Sequence, residues 1–147
     1  MGDKEREKEN RVDVGVGVVI FNENNEVLLI KRKETHGAGE WAFPGGSLEF
    51  GETLEQAAER ELEEELGLKA EDIRVISLSN QLRYLKDGVH CVIIGARAKA
   101  IGEPKIKDPK KIEEIRWFPF DNLPGEMFEG SEQIVRAIKS GKFYISD

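Results

Sequence analysis

The segment Gly45-Gly46-Ser-Leu-Glu-Phe-Gly51-Glu52-Thr53-Leu-Glu-Gln56-Ala-Ala-Glu-Arg60-Glu61-Leu62-Glu-Glu64-Glu65-Leu66-Gly67-Leu68 joins a glycine loop to an arginine and a dense run of carboxylates. Thr53 and Gln56, three residues apart, form a capping box, and Gly67 suits the left-handed stop that ends a helix. The spacing therefore predicts a helix over 54–66. At 3.6 residues per turn, Leu54, Ala57, Ala58, Leu62 and Leu66 share an apolar face, while Glu55, Glu59 and Glu63 occupy a wet one. Glu61 and Glu65 break this division. They fall in line with Leu54 and Ala58 on the protein-facing side, with Glu64 flanking them. Burying a lone carboxylate costs several kcal/mol or forces its protonation, so adjacent ones imply a compensating cation. Ligands that are all oxygen favour a hard ion such as Mg²⁺ or Mn²⁺.

The chain around this segment has 147 residues, enough for one sizeable core, and no low-complexity stretch divides it. We expect a charged tail over 1–11 and a single domain over 12–147. A net charge of −7 leaves no basic stripe for a nucleic-acid backbone, so no nucleic-acid polymer is expected as partner, whereas a small polyanion carried on a metal remains compatible. The single cysteine, Cys91, has no internal disulfide partner and reads as a core residue of an apolar strand in a reducing compartment. Met1 to Asn10 is polar and charged, which fits neither a signal peptide nor a membrane span. A cytoplasmic protein is expected.

Alternating apolar residues predict a strand from Val12 to Phe21, with Val12, Val14, Val16, Val18 and Ile20 on one side. Asn22 to Asn25 turns the chain into a second strand over 26–33, and a loop at His36-Gly-Ala-Gly39 precedes the short apolar run Trp41 to Phe43. Strands over 73–84 and 89–100 read as a hairpin around Lys86-Asp-Gly88. A further strand is expected over 112–118, and a closing helix over 131–140, capped by Ser131 and stopped by Gly141. Strands with helices on either side predict an α/β/α sandwich around a mixed β-sheet.

The spacing Gly46, five residues, Glu52, seven residues, Arg60-Glu61-Leu62, one residue, Glu64-Glu65, one residue, Gly67-Leu68 is similar at every fixed position to the Nudix box, Gx5Ex7REUxEExGU. The resemblance to Nudix hydrolases extends from about Val14 to Pro124, including the Trp41-to-Gly46 approach and the segment Trp117-Phe-Pro-Phe-Asp-Asn-Leu-Pro124. It implies the Nudix fold and cleavage of a nucleoside diphosphate linked to another group, with water attacking a phosphorus in the presence of divalent cations. It places metal ligands at Glu61, Glu64 and Glu65, with the Gly45 carbonyl as a backbone ligand. Glu61 or Glu64 would orient or deprotonate the water, with Glu61 favoured. Arg60 would orient these groups, and Glu52 would either brace the loop through Arg60 or serve as a ligand.

Other residues are candidates for substrate contact. Arg32 at a strand end near the loop suits a terminal phosphate; Phe43 or Trp41 could stack a base; Gly46 allows close backbone approach. Glu113 and Glu114 lie where some relatives supply an extra acid. His90 reads as a hydrogen-bonded strand residue, and the lysines at 105, 107, 110 and 111 as a solvated loop. The segments Val14 to Val19, Lys31 to Lys33, Gly37 to Gly39 and Gly46 to Thr53 resemble Nudix members that convert (deoxy)nucleoside triphosphates, oxidised ones included, to monophosphate and pyrophosphate. An ADP-ribose or ADP-sugar pyrophosphatase is the alternative. Tyr84 keeps a dinucleoside polyphosphate hydrolase open, and a nucleotide-binding module without turnover stands after it. The resemblance also implies a homodimer.

Overall fold

The computed structural model describes residues 11–34 and 36–146. Among these residues, eight strands and two α-helices run in the order β1 (Asp13–Ile20), β2 (Glu26–Arg32), β3 (Trp41–Ala42), β4 (Gly45–Ser47), α1 (Leu54–Leu66), β5 (Lys69–Gln81), β6 (Cys91–Ile101), β7 (Ile112–Pro119), α2 (Glu129–Ser140) and β8 (Tyr144–Ile145). The expected tail over 1–11 lies outside the described residues except for Arg11, which pairs with Asp13 at 2.9 Å.

Five strands form a mixed sheet in the order β4-β1-β6-β5-β8, and β3-β2-β7 form a second, antiparallel sheet. β1 runs parallel to β6, pairing Asp13 with Cys91 through Ile20 with Ala98. Both faces of β1 are covered. Val16, Val18 and Ile20 pack with Ala57, Ala58, Leu62 and Leu66 of α1, whereas Val19 packs with Ile134 and Val135 of α2. Successive side chains of a strand point to opposite faces, so this split puts α1 and α2 on opposite sides of the sheet. That is the expected α/β/α sandwich, though the alternation of Val12 to Ile20 marks a two-sided core and not a half-wet strand. Val12 itself is exposed and precedes the strand.

α1 has the predicted limits. Thr53 accepts from the Gln56 N–H at 3.0 Å, Gln56 returns the bond to the Thr53 N–H at 2.9 Å, and Gly67 ends the helix at φ 70°. The closing helix differs: it begins at Glu129, and Ser131 is no cap. Ser131 is buried, and its Oγ accepts the Phe43 N–H at 2.9 Å, a long-range use of a hydroxyl that sequence reading assigned to a local one. The stop at Gly141 holds, with φ 72°.

β5 starts at Lys69, directly after α1, and joins β6 through residues 82–90 with a single 3₁₀ turn at Leu85–Asp87, not through a tight two-residue turn. Gly88 ends that turn at φ 75°. The longer link has a purpose visible in its contacts: it delivers Tyr84 to the side of α2, where the ring stacks on Phe128 with centroids 4.9 Å apart. Cys91 opens β6 half-buried, not in the core, and burial pushes its thiol pKa up. His90 lies just before β6 and bonds Asn80 Oδ1 at 2.8 Å.

Candidate functional site

Glu61 and Glu65 are 4% and 2% exposed, as burying their turn of the helix demands. What they meet is backbone. Gly45 faces Gly17 in the β1–β4 ladder while the Val18 N–H goes to the Pro44 carbonyl at 2.8 Å. In that register Gly17 and Gly45 form a non-hydrogen-bonded pair, so the N–H and C=O of Gly45 both point away from β1. The N–H reaches Glu65 Oε1 at 2.8 Å. A Cβ on Gly45 would lie 1.9 Å from the Val16 oxygen, and one on Gly46 would lie 2.5 Å from Glu61 Oε1. Gly45 thus lets β4 close on the β1 backbone, and Gly46 leaves room for the Glu61 carboxylate.

The Gly45 N–H on Glu65 and the Arg60 guanidinium on Glu61 offset the burial of the two carboxyls only in part. Burial first, then the neighbouring Glu61 charge, pushes the Glu65 carboxyl up to about 8 against the pull of the Gly45 N–H. Burial also raises Glu61, partly offset by Arg60. An oxygen-only, electrostatically unsatisfied pair of this kind fits a hard divalent cation.

Arg60 organises the rim. Its Nε and Nη2 meet the two oxygens of Glu52 at 2.6 and 3.0 Å, Nη1 reaches Glu61 Oε1 at 2.7 Å, and Nη2 also donates to the Ser47 carbonyl at 2.9 Å. Hydrogen bonding from Arg60 lowers the Glu52 pKa, and Glu52 in turn accepts the Glu49 N–H at 2.9 Å, so it braces the loop. Glu64 stands apart: its side chain is 61% exposed and touches Arg60 at 3.4 Å. Of the predicted trio, then, Glu61 and Glu65 are buried, and Glu64 stands at the solvent rim on the same Arg60 Nη1 that meets Glu61. Among the described residues, no three Asp, Glu, His or Cys side chains converge at metal-binding spacing.

The segment after β6 crosses the end of α1, where the Lys105 and Lys107 N–H groups donate to the Leu66 and Glu65 carbonyls at 3.1 and 2.9 Å. This satisfies orphan carbonyls of the last turn. It also brings charge to the site, since Asp108 raises and Lys111 lowers the Glu65 pKa. In sequence this segment reads as a solvated loop, with Glu103-Pro104 and Asp108-Pro109 as its local turn signals. Glu113 and Glu114, the expected extra acids, are instead paired on β7 with Lys31 and Arg116.

Glu65, Gly45 and Gly46 open into a cleft of about 240 Å³. Besides Glu65, Asp13, Arg32, Glu34 and Lys111 supply its charged lining, with the His36 ring beside them, and Phe43, Ile93, Phe128 and Ile134 are among its apolar lining. Arg32 is no solvated turn residue: its guanidinium rides 4.0 Å above the Phe128 ring and donates to the His36 carbonyl from Nε and Nη2. Burial lowers its pKa. Phe43 lines the cleft from the core, at 4% exposure, and Trp41 lies in the same core cluster. Gln81, read only as a strand residue from sequence, also lines the cleft; the Gly130 N–H fixes its Oε1 at 3.1 Å, and its Nε2 has no hydrogen-bond partner among the described residues. Tyr84 is buried with its hydroxyl donated to Glu40 at 2.6 Å, so neither that hydroxyl nor the Phe128-stacked ring face is free.

An α/β/α sandwich whose first helix buries paired glutamates against a Gly-Gly loop is the architecture of a Nudix hydrolase. The NUDIX domain model matches residues 11–138, and the chain belongs to that family of hydrolases. The MutT NUDIX hydrolase of Burkholderia pseudomallei superposes with a TM-score of 0.82 at 32% identity, covering 88% of this chain and 99% of that one. The RNA pyrophosphohydrolase of Acinetobacter baylyi is 34% identical over 138 residues, 82% of this chain and 81% of its own. That of Aeromonas hydrophila subsp. hydrophila is 49% identical over 70 residues, which is 47% of this chain and 38% of that protein. The chain thus matches well under two thirds of the Aeromonas protein. Nudix hydrolases generally use a divalent metal. No helix among the described residues is long and apolar enough to cross a membrane.

Proposed function

We propose that this protein hydrolyses a phosphoanhydride of a (deoxy)nucleoside triphosphate, releasing monophosphate and pyrophosphate, with Mg²⁺ and with Mn²⁺ as a substitute. One observation carries the reading. Glu65 lines the same cleft as Arg32, and Glu61 is buried beside Gly46 of that cleft, so a cation and a polyphosphate would meet there. Glu61 and Glu65 would hold the ion, joined by Glu64 from the rim and by the Gly45 carbonyl, which points to the same side as the N–H already bound to Glu65. A divalent ion supplies charge neutralisation to anhydride oxygens and acidifies water.

The chain's own residues do the rest. Glu61, buried and with its pKa raised, is placed to accept the proton of attacking water; Glu64, exposed, is the weaker candidate. Arg60 keeps Glu61 oriented while its remaining donors tie helix to loop. Gly46 leaves room for Glu61 beside the substrate backbone, Arg32 takes a phosphate, and Phe43 with Phe128 forms an apolar wall for a base.

A second reading has support in the relatives, two of which are named RNA pyrophosphohydrolase. The 5′-triphosphate end of an RNA presents the same anhydrides, and the net charge of −7 would then confine contact to that end. A panel of pyrophosphate and phosphate release separates these cases. It would compare standard and oxidised (d)NTPs, 5′-triphosphorylated RNA, ADP-ribose and other nucleotide sugars, and dinucleoside polyphosphates, in Mg²⁺ and Mn²⁺, with Glu65→Gln as blank. Preference for a free triphosphate is the expected result. Faster turnover of the RNA end would favour the second reading, AMP from ADP-ribose would replace both, and no metal-dependent turnover would leave a binding module.

A further inference from the structure

Two cations of the cleft already hold an anion, and it is the protein's own. Glu34 Oε2 lies 3.3 Å from Arg32 Nη2, and its Oε1 lies 4.0 Å from Lys111 Nζ, so each carboxylate oxygen faces one cation. All three residues line the cleft beside Glu65 and Gly46. The two cations come from segments far apart in the chain that are pinned together by the Lys33 N–H donating to the Lys111 carbonyl at 2.9 Å.

The parts of this arrangement differ in firmness. Arg32 is fixed by the His36 carbonyl beneath its fork and by the Phe128 ring, and its side chain is only 14% exposed. Glu34 and Lys111 are partly solvated, at 35% and 47%, and a 4.0 Å pair under that much water is weak. A terminal phosphate offers three acceptor oxygens and more charge than a carboxylate, and the Nη1–Nη2 edge of Arg32, unlike the Nε–Nη2 edge held by the His36 carbonyl, can meet two of them. It would compete well for the same two cations.

We propose that Arg32 and Lys111 form a seat for the terminal phosphate of the substrate, and that Glu34 is a placeholder which that phosphate displaces. Naming the ligand as a substrate phosphate rests on the triphosphate reading above. The seat selects substrates that end in a free phosphate. A sugar-linked diphosphate ends in a neutral group and gains nothing there.

Calorimetric titration of inorganic tripolyphosphate, in EDTA, into the full chain and its variants tests this without turnover. Glu34→Gln should bind roughly threefold tighter or more, because the competing charge is gone, and Lys111→Ala about tenfold weaker. Lys110→Ala and Glu23→Gln, which change the net charge equally at exposed positions, should match the wild type. Unchanged or weaker binding by Glu34→Gln would make Glu34 a strut of its loop and overturn the proposal, as would no binding by the wild type. The two readings fail separately. Triphosphate turnover with no gain in Glu34→Gln removes the placeholder and leaves the activity; the expected binding series in a protein that turns over only ADP-ribose removes the triphosphate reading and leaves an anion seat.

Discussion

The helix that carries the glutamates and the wall that faces it are built in opposite ways. Most of what shapes Glu61 and Glu65 lies between Gly45 and Gly67: a capping box, a glycine stop, two glycines and an arginine fork, with only the pairing to β1 and the charges of Asp108 and Lys111 added from outside. The facing wall takes Arg32 from β2, Gln81 from β5, Lys111 from the approach to β7 and Phe128 from the approach to α2. A site made within one segment is set by helical phase and by short-range bonds, and it stands wherever that helix folds. A wall made from four segments exists only after the sheets have assembled. The first arrangement suits invariant chemistry, the second suits choice of substrate.

Mutations should divide accordingly, with losses on the helix side appearing in kcat and losses on the wall in KM. The largest effect is expected for Glu65→Gln, which should cut metal-dependent turnover by roughly a hundredfold or more while the fold is retained. Wild-type turnover by this variant would break the comparison outright. Gly46→Ala comes next: its Cβ would meet Glu61 Oε1 at 2.5 Å, and if Glu61 acts as proposed, displacing its carboxylate by about an ångström should cost on the order of a hundredfold in rate. Circular dichroism would confirm that strand and helix survive. Arg60→Lys keeps the charge but loses the fork that joins Glu52, Glu61 and Ser47, so steady-state kinetics should show kcat lowered roughly tenfold with KM little changed.

Smaller effects come from thermodynamics. Between the ordinary value of 4.5 and about 8, folded Glu65 keeps a proton that the unfolded chain has released, so without metal the stability falls as pH rises through that window. The melting temperature in EDTA should therefore drop from pH 5 to pH 8. Added Mg²⁺ should restore it, and Glu65→Gln should flatten the drop. The smallest expected change is on the wall: Ser131→Ala leaves the buried Phe43 N–H without its acceptor, a loss of about 1 kcal/mol by urea unfolding.

How much was legible in the sequence follows the same division. The helix limits, its caps and the inward turn of Glu61 and Glu65 could be read from local spacing, because helical phase fixes which residues share a face. Glu64 reads as flanking that inward turn, because a step of one residue turns a side chain about 100° around the axis, and it stands at the solvent rim. Ser131 misled for a related reason: a hydroxyl near a helix start reads as a cap, while its partner, Phe43, is 88 positions away. Lys111 and Asp108 carried no periodic signal at all. Their place beside Glu65 depends on backbone bonds from Lys105 and Lys107 to the last carbonyls of α1, a docking that no spacing within the loop encodes.

The central claim is that Glu61 and Glu65 form an unsatisfied carboxylate pair completed by a divalent cation. Calorimetric titration of Mn²⁺ at pH 7 into the wild type and Glu65→Gln tests it most directly. The account predicts saturable binding by the wild type with release of protons, since burial and the Glu61 charge push the Glu65 carboxyl up, and loss of both the binding and the proton release in the variant. Equal Mn²⁺ affinity in the two proteins would contradict it.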